Sequence, residues 1–453
     1  MKAKAMRPGS IRALRILSST ARGVLIPHTL ADIQQTLARL GHEVWVQDNV
    51  GVGAYEQAVI AIVDGLVRVA PEVVFTVDQV ALLPDVISVL AQPPRVISWA
   101  FDNPFNFLRD DFLAINSHFH FFCWDQAYLA PLAAKGYRHL YHQPFATNPG
   151  VYRPAPGTGY DYDLSFVGTS SVPRMAALHA LVESGLRVDV FGDEGWKNLG
   201  HPRISYHGPA SNREDCPRIF SRSRINLNIT SEQLLTSVPL RVFDVLACGG
   251  FLLTDARAGL PELFKPGKDL AVYTSLAELC AKARYYLDHP DERDAVRKHG
   301  RIRVLRDYTF DIVLPGIIER ALAGTPDYAL NRMLDPGKMA RALLLAGLAY
   351  LKFNQPEQAR PRLLDALNLA PESPAHLLAA ALLAGRAGQA GAVRACAEKL
   401  VALGEPAAAW GRELLEDGHA LPAWDRVYRA IFPEARVRPD GTVAGWEARR
   451  VAP

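Results

Sequence analysis

Short runs of apolar and β-branched residues alternate with amphipathic stretches twice along this chain, and a passage dense in proline and glycine, Asn148 to Gly159, divides the two sets. The first set reads as strands over Leu14 to Leu17, Glu43 to Gln47, Glu72 to Val77, Arg95 to Phe101, His120 to Trp124 and His139 to His142. Between them lie helix patterns over Thr29 to Leu40, Tyr55 to Val69, Ala81 to Leu90 and Gln126 to Lys135. The second set places strands over Leu164 to Val167, Arg187 to Phe191, Ile204 to His207, Ile225 to Ile229 and Phe251 to Thr254, with helices interleaved and continuing to Leu322. Strands that alternate with helices imply parallel sheets covered on both faces. Two such sets predict two doubly wound α/β domains of about 150 residues each, with ligands outside the carboxyl ends of the strands and a cleft between the domains.

After Ala323 to Pro326 the character changes to Ala- and Leu-rich helix. Gly347, Tyr350, Ala359, Leu363, Ala366 and Pro371 follow the small and large spacing of a tetratricopeptide (TPR) repeat, and Ala375 to Leu403 reads as a second, degenerate copy. Two repeats do not bury a continuous core, so helices over Ala407 to Phe432 must complete the module or it must dock on its neighbour. The expected domains are residues 1–153, 154–325, 335–404 and a helical tail over 405–453.

Lysine and arginine number 50 against 47 acidic residues, a net charge of +3, which disfavours a broad nucleic-acid surface while allowing a local anion pocket. Five scattered cysteines without CxxC spacing argue against a disulfide framework. The runs Ala342 to Leu351 and Leu377 to Ala384 are too short to span a membrane, and Arg12 and Arg15 interrupt the apolar residues that follow the basic start. A cytoplasmic protein without an integral membrane segment is expected.

Chemistry concentrates in Ser237-Val-Pro-Leu-Arg-Val-Phe-Asp-Val-Leu-Ala-Cys-Gly-Gly250. Ser237 is read as a helix cap, Pro239 suits a first turn, and Gly249-Gly250 stops the helix before a strand. At about 100° per residue, Ser237, Arg241 and Asp244 share one wedge, while Val242, Phe243, Val245 and Leu246 face a core. Backbone N–H groups at a helix start, a hydroxyl and an arginine suit a diphosphate, and a carboxylate further along suits two vicinal hydroxyls. An Arg and an Asp at i,i+3 are also common on ordinary surfaces.

Asp163-Leu-Ser-Phe-Val-Gly168, Arg224 to Asn228, Val238 to Asp255 and Leu263 to Leu270 with Tyr273 resemble the spore-maturation, CgeB-type glycosyltransferases. Trp99 to Pro104 and Phe122 to Gln126 resemble the partner domain. The resemblance implies a GT-B architecture: two Rossmann-like domains facing across a cleft, the second holding a nucleotide-sugar donor, with the TPR-like all-α module outside it. It implies transfer of a sugar, from a UDP-sugar by preference, to a hydroxyl of a protein such as flagellin or of a glycan. No cofactor and no metal are implied, the nucleotide sugar being a co-substrate. Asp244 then falls at the ribose position, Ser237 and Arg241 near the diphosphate, and Thr236 where related enzymes carry a sugar-contacting Glu.

Gly168 and Arg174 follow the first strand of the donor domain, and His207-Gly208 ends another, so all four are candidates for the nucleotide sugar. Asp102, after the strand ending at Phe101, is the candidate general base, with Asp125 and His28 as weaker candidates of the same kind. Asp161-Tyr-Asp163 has the form of a metal-binding DxD but leads into a strand, and strand alternation sets Cys123 on the opposite face from His118 and His120. Two other functions are compatible with the same residues: a non-catalytic interaction protein that works through its TPR-like module, or a nucleotide-sugar epimerase. The module points to a protein acceptor, or to a protein partner that delivers one.

Overall fold

The computed structural model describes residues 15–20, 27–48, 55–78, 83–157, 159–323, 335–416, 422–443 and 448–452. Leu14, Gly23, Ala81 and Gly324 to Pro326 of the second linker lie outside them.

The first domain runs β1 (Arg15–Thr20), α1 (Pro27–Arg39), β2 (Glu43–Asp48), α2 (Tyr55–Val69), β3 (Val73–Val77), α3 (Pro84–Val89), β4 (Arg95–Trp99), β5 (Phe119–Cys123), α4 (Leu129–Ala134) and β6 (His139–His142). Its strands are parallel in the order β2-β1-β3-β4-β5-β6. Every residue of β3, β4 and β5 is buried, as a parallel strand with helices on both faces requires.

The second domain holds β7 (Tyr162–Val167), α5 (Val172–Glu183), β8 (Val188–Phe191), β9 (Ile204–Tyr206), α6 (Asp215–Arg222), β10 (Ser223–Asn228), α7 (Leu240–Ala247), β11 (Leu252–Asp255), α8 (Leu260–Leu263), β12 (Ala271–Tyr273), α9 (Leu276–Asp288) and α10 (Pro290–Asp307). The sheet order β12-β11-β10-β7-β8-β9 is that of a doubly wound nucleotide-binding sheet, with its switch point between β7 and β10. Gly192 allows the tight approach at the end of β8, where a Cβ would come within 2.0 Å of the Gly168 carbonyl oxygen.

Helix α11 (Phe310–Leu322) leaves the second domain and packs on α1 and β4 of the first. Phe310 meets Trp99 edge-on at 6.1 Å and Arg39 pairs with Asp311 at 2.9 Å. The last helix before the boundary drawn at residue 325 therefore packs on both domains. At the crossing, Thr147 accepts from the Phe310 amide at 3.1 Å and donates its own amide to Tyr308 at 3.0 Å.

Beyond it come α12 (Pro336–Lys352), α13 (Pro356–Leu369), α14 (Pro374–Arg386), α15 (Ala390–Ala402) and α16 (Ala407–Glu416), packed in succession as helical hairpins, and α17 (Trp424–Ile431), which packs back on α14. Helix α12 also packs on α2 and α3. Lys352 fixes that docking: its ammonium is buried, donates to both Asp64 oxygens at 2.9 and 2.8 Å and to the Gly441 carbonyl at 2.6 Å, and lies 4.8 Å from the Tyr428 ring. The tail is not wholly helical, since β13 (Arg449–Arg450) adds antiparallel to the β2 edge of the first sheet.

Burial pushes the Asp64 carboxyl up to about 6 and Lys352 pulls it back. Lys352→Ala leaves that carboxyl sealed without its cation, and urea unfolding should show a loss of about 3–5 kcal/mol. The apolar pair Asp64→Leu with Lys352→Met should recover part of it.

Candidate functional site

A cleft of about 510 Å³ opens where the two sheets face each other. The switch point supplies its second-domain floor, through Gly168 after β7 and Asn228 at the end of β10. Asn228 is locked by donation to Thr254 Oγ1 at 2.8 Å, and Thr230 by two hydrogen bonds to Asp255. The first domain supplies His28 and Asp32 of α1, together with Phe101, Trp124 and Phe145 from beyond β4, β5 and β6.

Two guanidiniums converge on this cleft. Arg174, in the first turn of α5, donates Nε to the Ile229 carbonyl at 3.0 Å and Nη1 to Thr169 Oγ1 at 2.8 Å, with its Cζ 5.6 Å from the Phe166 ring. Arg241, in the first turn of α7, lies over Phe220 at 5.2 Å and reaches Cys216 Sγ at 3.5 Å. Among the described residues neither forms an ion pair. Burial first, and then the charge of Arg241, lowers the Arg174 pKa. The direct partners of both are carbonyls, a hydroxyl, rings and a thiol, while the charges of Asp244 on Arg241 and of Asp255 and Asp193 on Arg174 act without a direct ion pair.

Asp244 lies one turn beyond Arg241 and lines the same cleft, but it is almost fully buried. Its Oδ1 accepts from Thr147 Oγ1 at 2.7 Å, so the crossing point of the domains holds it. Burial raises its pKa to about 7 against the opposing pull of Arg241. Across the cleft, Asp32 forms an ion pair with Arg213 of the second domain, and burial raises its pKa against that partner.

Of the residues proposed from sequence, Gly168, Arg174, Arg241 and Asp244 line the cleft together. Ser237 does not: α7 starts at Leu240 with Pro239 as its N-cap in an extended conformation, so the helical wedge stops short of Ser237. Ser237 is buried and spends its amide on Asp125 at 3.1 Å, and Thr236 gives Asp125 both its amide and its hydroxyl. His207 bonds Asp189 at 2.7 Å and stacks on Phe191 at 4.6 Å, away from the cleft lining. Gly208, at φ +81°, is a turn residue whose carbonyl accepts from Gly192 at 2.9 Å.

Asp102 is likewise a turn residue. Its amide is held by Asp78 at 2.8 Å and its Oδ1 accepts from Asn103 at 2.7 Å, which turns the carboxylate back on the chain while Phe101 takes the wall. Asp161 of the DxD is engaged by Arg218 and Arg222. Asp32 and Arg213 carried no distinguishing pattern beyond a carboxylate on the apolar helix α1; their pairing spans 181 positions.

Residues 174–315 match the glycosyl transferase-like family model. The matched stretch contains Arg174, Arg241 and Asp244. Spore protein CgeB of Bacillus subtilis is 25% identical over 195 residues, 39% of this chain and 59% of that protein, so the chain spans about three-fifths of the relative's length. A glycosyltransferase from Rickettsia africae superimposes with a TM-score of 0.53 at 11% identity, over 70% of this chain and 100% of that one. The likeness is one of fold, two Rossmann-like domains facing across a cleft in the GT-B arrangement. The Anabaena protein HepE, solved with UDP and glucose, aligns at 13% identity and a TM-score of 0.48 over 68% of this chain and 98% of that one.

The folded pKa of Asp244 lies above its unfolded value of 3.8. The folded state therefore binds the extra proton between those values, and Asp244's contribution to stability falls as pH rises from about 4 to about 7. Thermal unfolding of wild type and Asp244→Asn across that window should show the wild type losing ground to the variant with rising pH, and a constant difference above it.

Proposed function

We propose that this chain is a nucleotide-sugar-dependent glycosyltransferase that uses the cleft between its two domains. The observation that carries the proposal is the pair Arg174 and Arg241, brought together at the switch point without a carboxylate partner among the described residues. A diphosphate placed there relieves their mutual repulsion and gives each planar fork a match. Asp244, one turn along α7, then accepts from the ribose hydroxyls through Oδ2, since Oδ1 is engaged by Thr147.

In the reaction the acceptor hydroxyl oxygen bonds to the anomeric carbon as the bond from that carbon to the diphosphate breaks. The electron pair leaves with the nucleotide, and the arginines stabilise the growing charge. A metal is not required in this scheme. The acceptor's proton needs a group on the first-domain wall, where His28 and Asp32 stand in place of Asp102. The donor class is a UDP-sugar, and the acceptor is a protein or glycan hydroxyl. The helical hairpins outside the two-domain frame serve a protein partner that presents it.

Calorimetry with UDP in metal-free buffer tests the donor half. Arg241→Ala should weaken binding by about 10- to 100-fold and Asp244→Ala by about 10-fold, with both variants folded. Equal affinity in both variants and wild type would remove the site.

A further inference from the structure

The donor helix is held from the opposite domain. Asp125, at the end of β5, is fully buried and accepts four hydrogen bonds, two on each oxygen. Oδ1 takes the Ala127 amide at 3.0 Å and the Thr236 hydroxyl; Oδ2 takes the Thr236 amide at 2.7 Å and the Ser237 amide at 3.1 Å. Three of the four donors belong to the segment that leads directly into α7.

A carboxylate offers about four lone-pair sites, and here all are used. Asp125 therefore has no capacity left for a substrate proton, and the role of a general base does not fit it. Burial alone raises its pKa, but the donors of Thr236, Ser237 and Ala127 outweigh it and hold the group below its ordinary value. The contact is reinforced on both sides, since Tyr128 donates its hydroxyl to the Gln233 carbonyl at 2.7 Å and Gln126 reaches Glu262 at 3.4 Å.

We infer that Asp125 is a positioning residue: the first domain uses it to fix the Thr236–Ser237 segment and thereby the placement of Arg241 and Asp244 in the donor site. Pro239 makes this a stiff coupling, because its fixed φ passes the position of Ser237 straight to the helix start three residues later. Donor affinity then depends on a side chain that touches no donor, and it belongs to the domain that faces the acceptor. The donor part of this inference rests on the glycosyltransferase reading; the positioning part does not.

Asp125→Asn keeps the shape, but in either orientation its NH₂ meets a backbone N–H, that of Ala127 in one and those of Thr236 and Ser237 in the other, so at least one donor faces a donor. Thr236→Val, a milder change made from the other side, removes only the hydroxyl bond. Two measurements on the full chain separate the two parts. In the ligand-free protein, amide hydrogen exchange over residues 236–242 should rise about 10-fold or more in Asp125→Asn and by less in Thr236→Val, with Leu252 to Asp255 unchanged. In calorimetry, UDP affinity should fall about 10-fold in Asp125→Asn, and kinetics should show a raised KM for the nucleotide sugar with the acceptor KM unmoved.

Unchanged exchange over 236–242 in a folded Asp125→Asn overturns the positioning role whatever the nucleotide result. Altered exchange with unchanged UDP affinity overturns the link to the donor. If wild type binds no nucleoside diphosphate, the glycosyltransferase reading fails and the exchange result alone decides whether Asp125 positions α7.

Discussion

A carboxylate sealed between two domains has to be met by donors where it lies, or it gives up its charge. Asp125 and Asp244 take the two outcomes. Asp125, of the first domain, is surrounded by four donors, three of them from the second domain, and its pKa falls. Asp244, of the second domain, has one hydroxyl from the crossing point and one nearby cation, and its pKa rises to about 7. The first is saturated and structural in its chemistry; the second keeps an oxygen uncommitted beside the cleft. The domain interface and the second-domain wall of the cleft are therefore one construction, because the same short stretch from Thr236 to Asp244 serves both.

The helical module and the tail bear on the first domain in the same way. Lys352 gathers α2, α12, α17 and the Gly441 loop around one buried ammonium, and Arg362 adds a hydrogen bond from α13 to the Val89 carbonyl at 2.7 Å. Tyr350 accepts from the Ala91 amide at 3.0 Å. Strand β13 pairs with Trp45 and Val46 on the β2 edge of the first sheet, which caps part of that edge. The hairpins are therefore joined by buried contacts to the domain whose wall carries His28 and Asp32.

The alternation of strand and helix, and with it the architecture, was legible because each element carries its own period. Helix Tyr55–Val69 and strand His139–His142 fall where the pattern placed them, to the residue. Within the site, Arg241 and Asp244 were legible because they share one helical turn and the residues opposite them are apolar. Ser237 was misplaced because a helical wheel was extended backward across Pro239, where the chain is extended. Asp102, Asp125 and His207 all sit near strand ends, the position that suggests a cleft residue. Their actual partners, Asn103, Thr236 and Asp189, decide otherwise, and of these only Asn103 is a neighbour in sequence. Long-range pairs such as Asp32 with Arg213 have no period and no local signature.

The cleft presents two guanidiniums that are oriented without a direct ion pair among the described residues. Arg174 is packed on Phe166 and bonded to carbonyl and hydroxyl oxygens; Arg241 is packed on Phe220 and a thiol. Neutral partners fix the direction of each fork without cancelling its charge, which an aspartate at the same place would do. Arg213, the third arginine of the lining, shows the contrast, since it is paired with Asp32 and so is unavailable in this state. Two of the three are left charged and oriented, and they come from helices α5 and α7, whose first turns both point at the switch point. Helix starts carry partial positive charge, so backbone and side chains add at the same spot. A phosphate group of the proposed donor would meet charge already in position, assembled by folding rather than by binding.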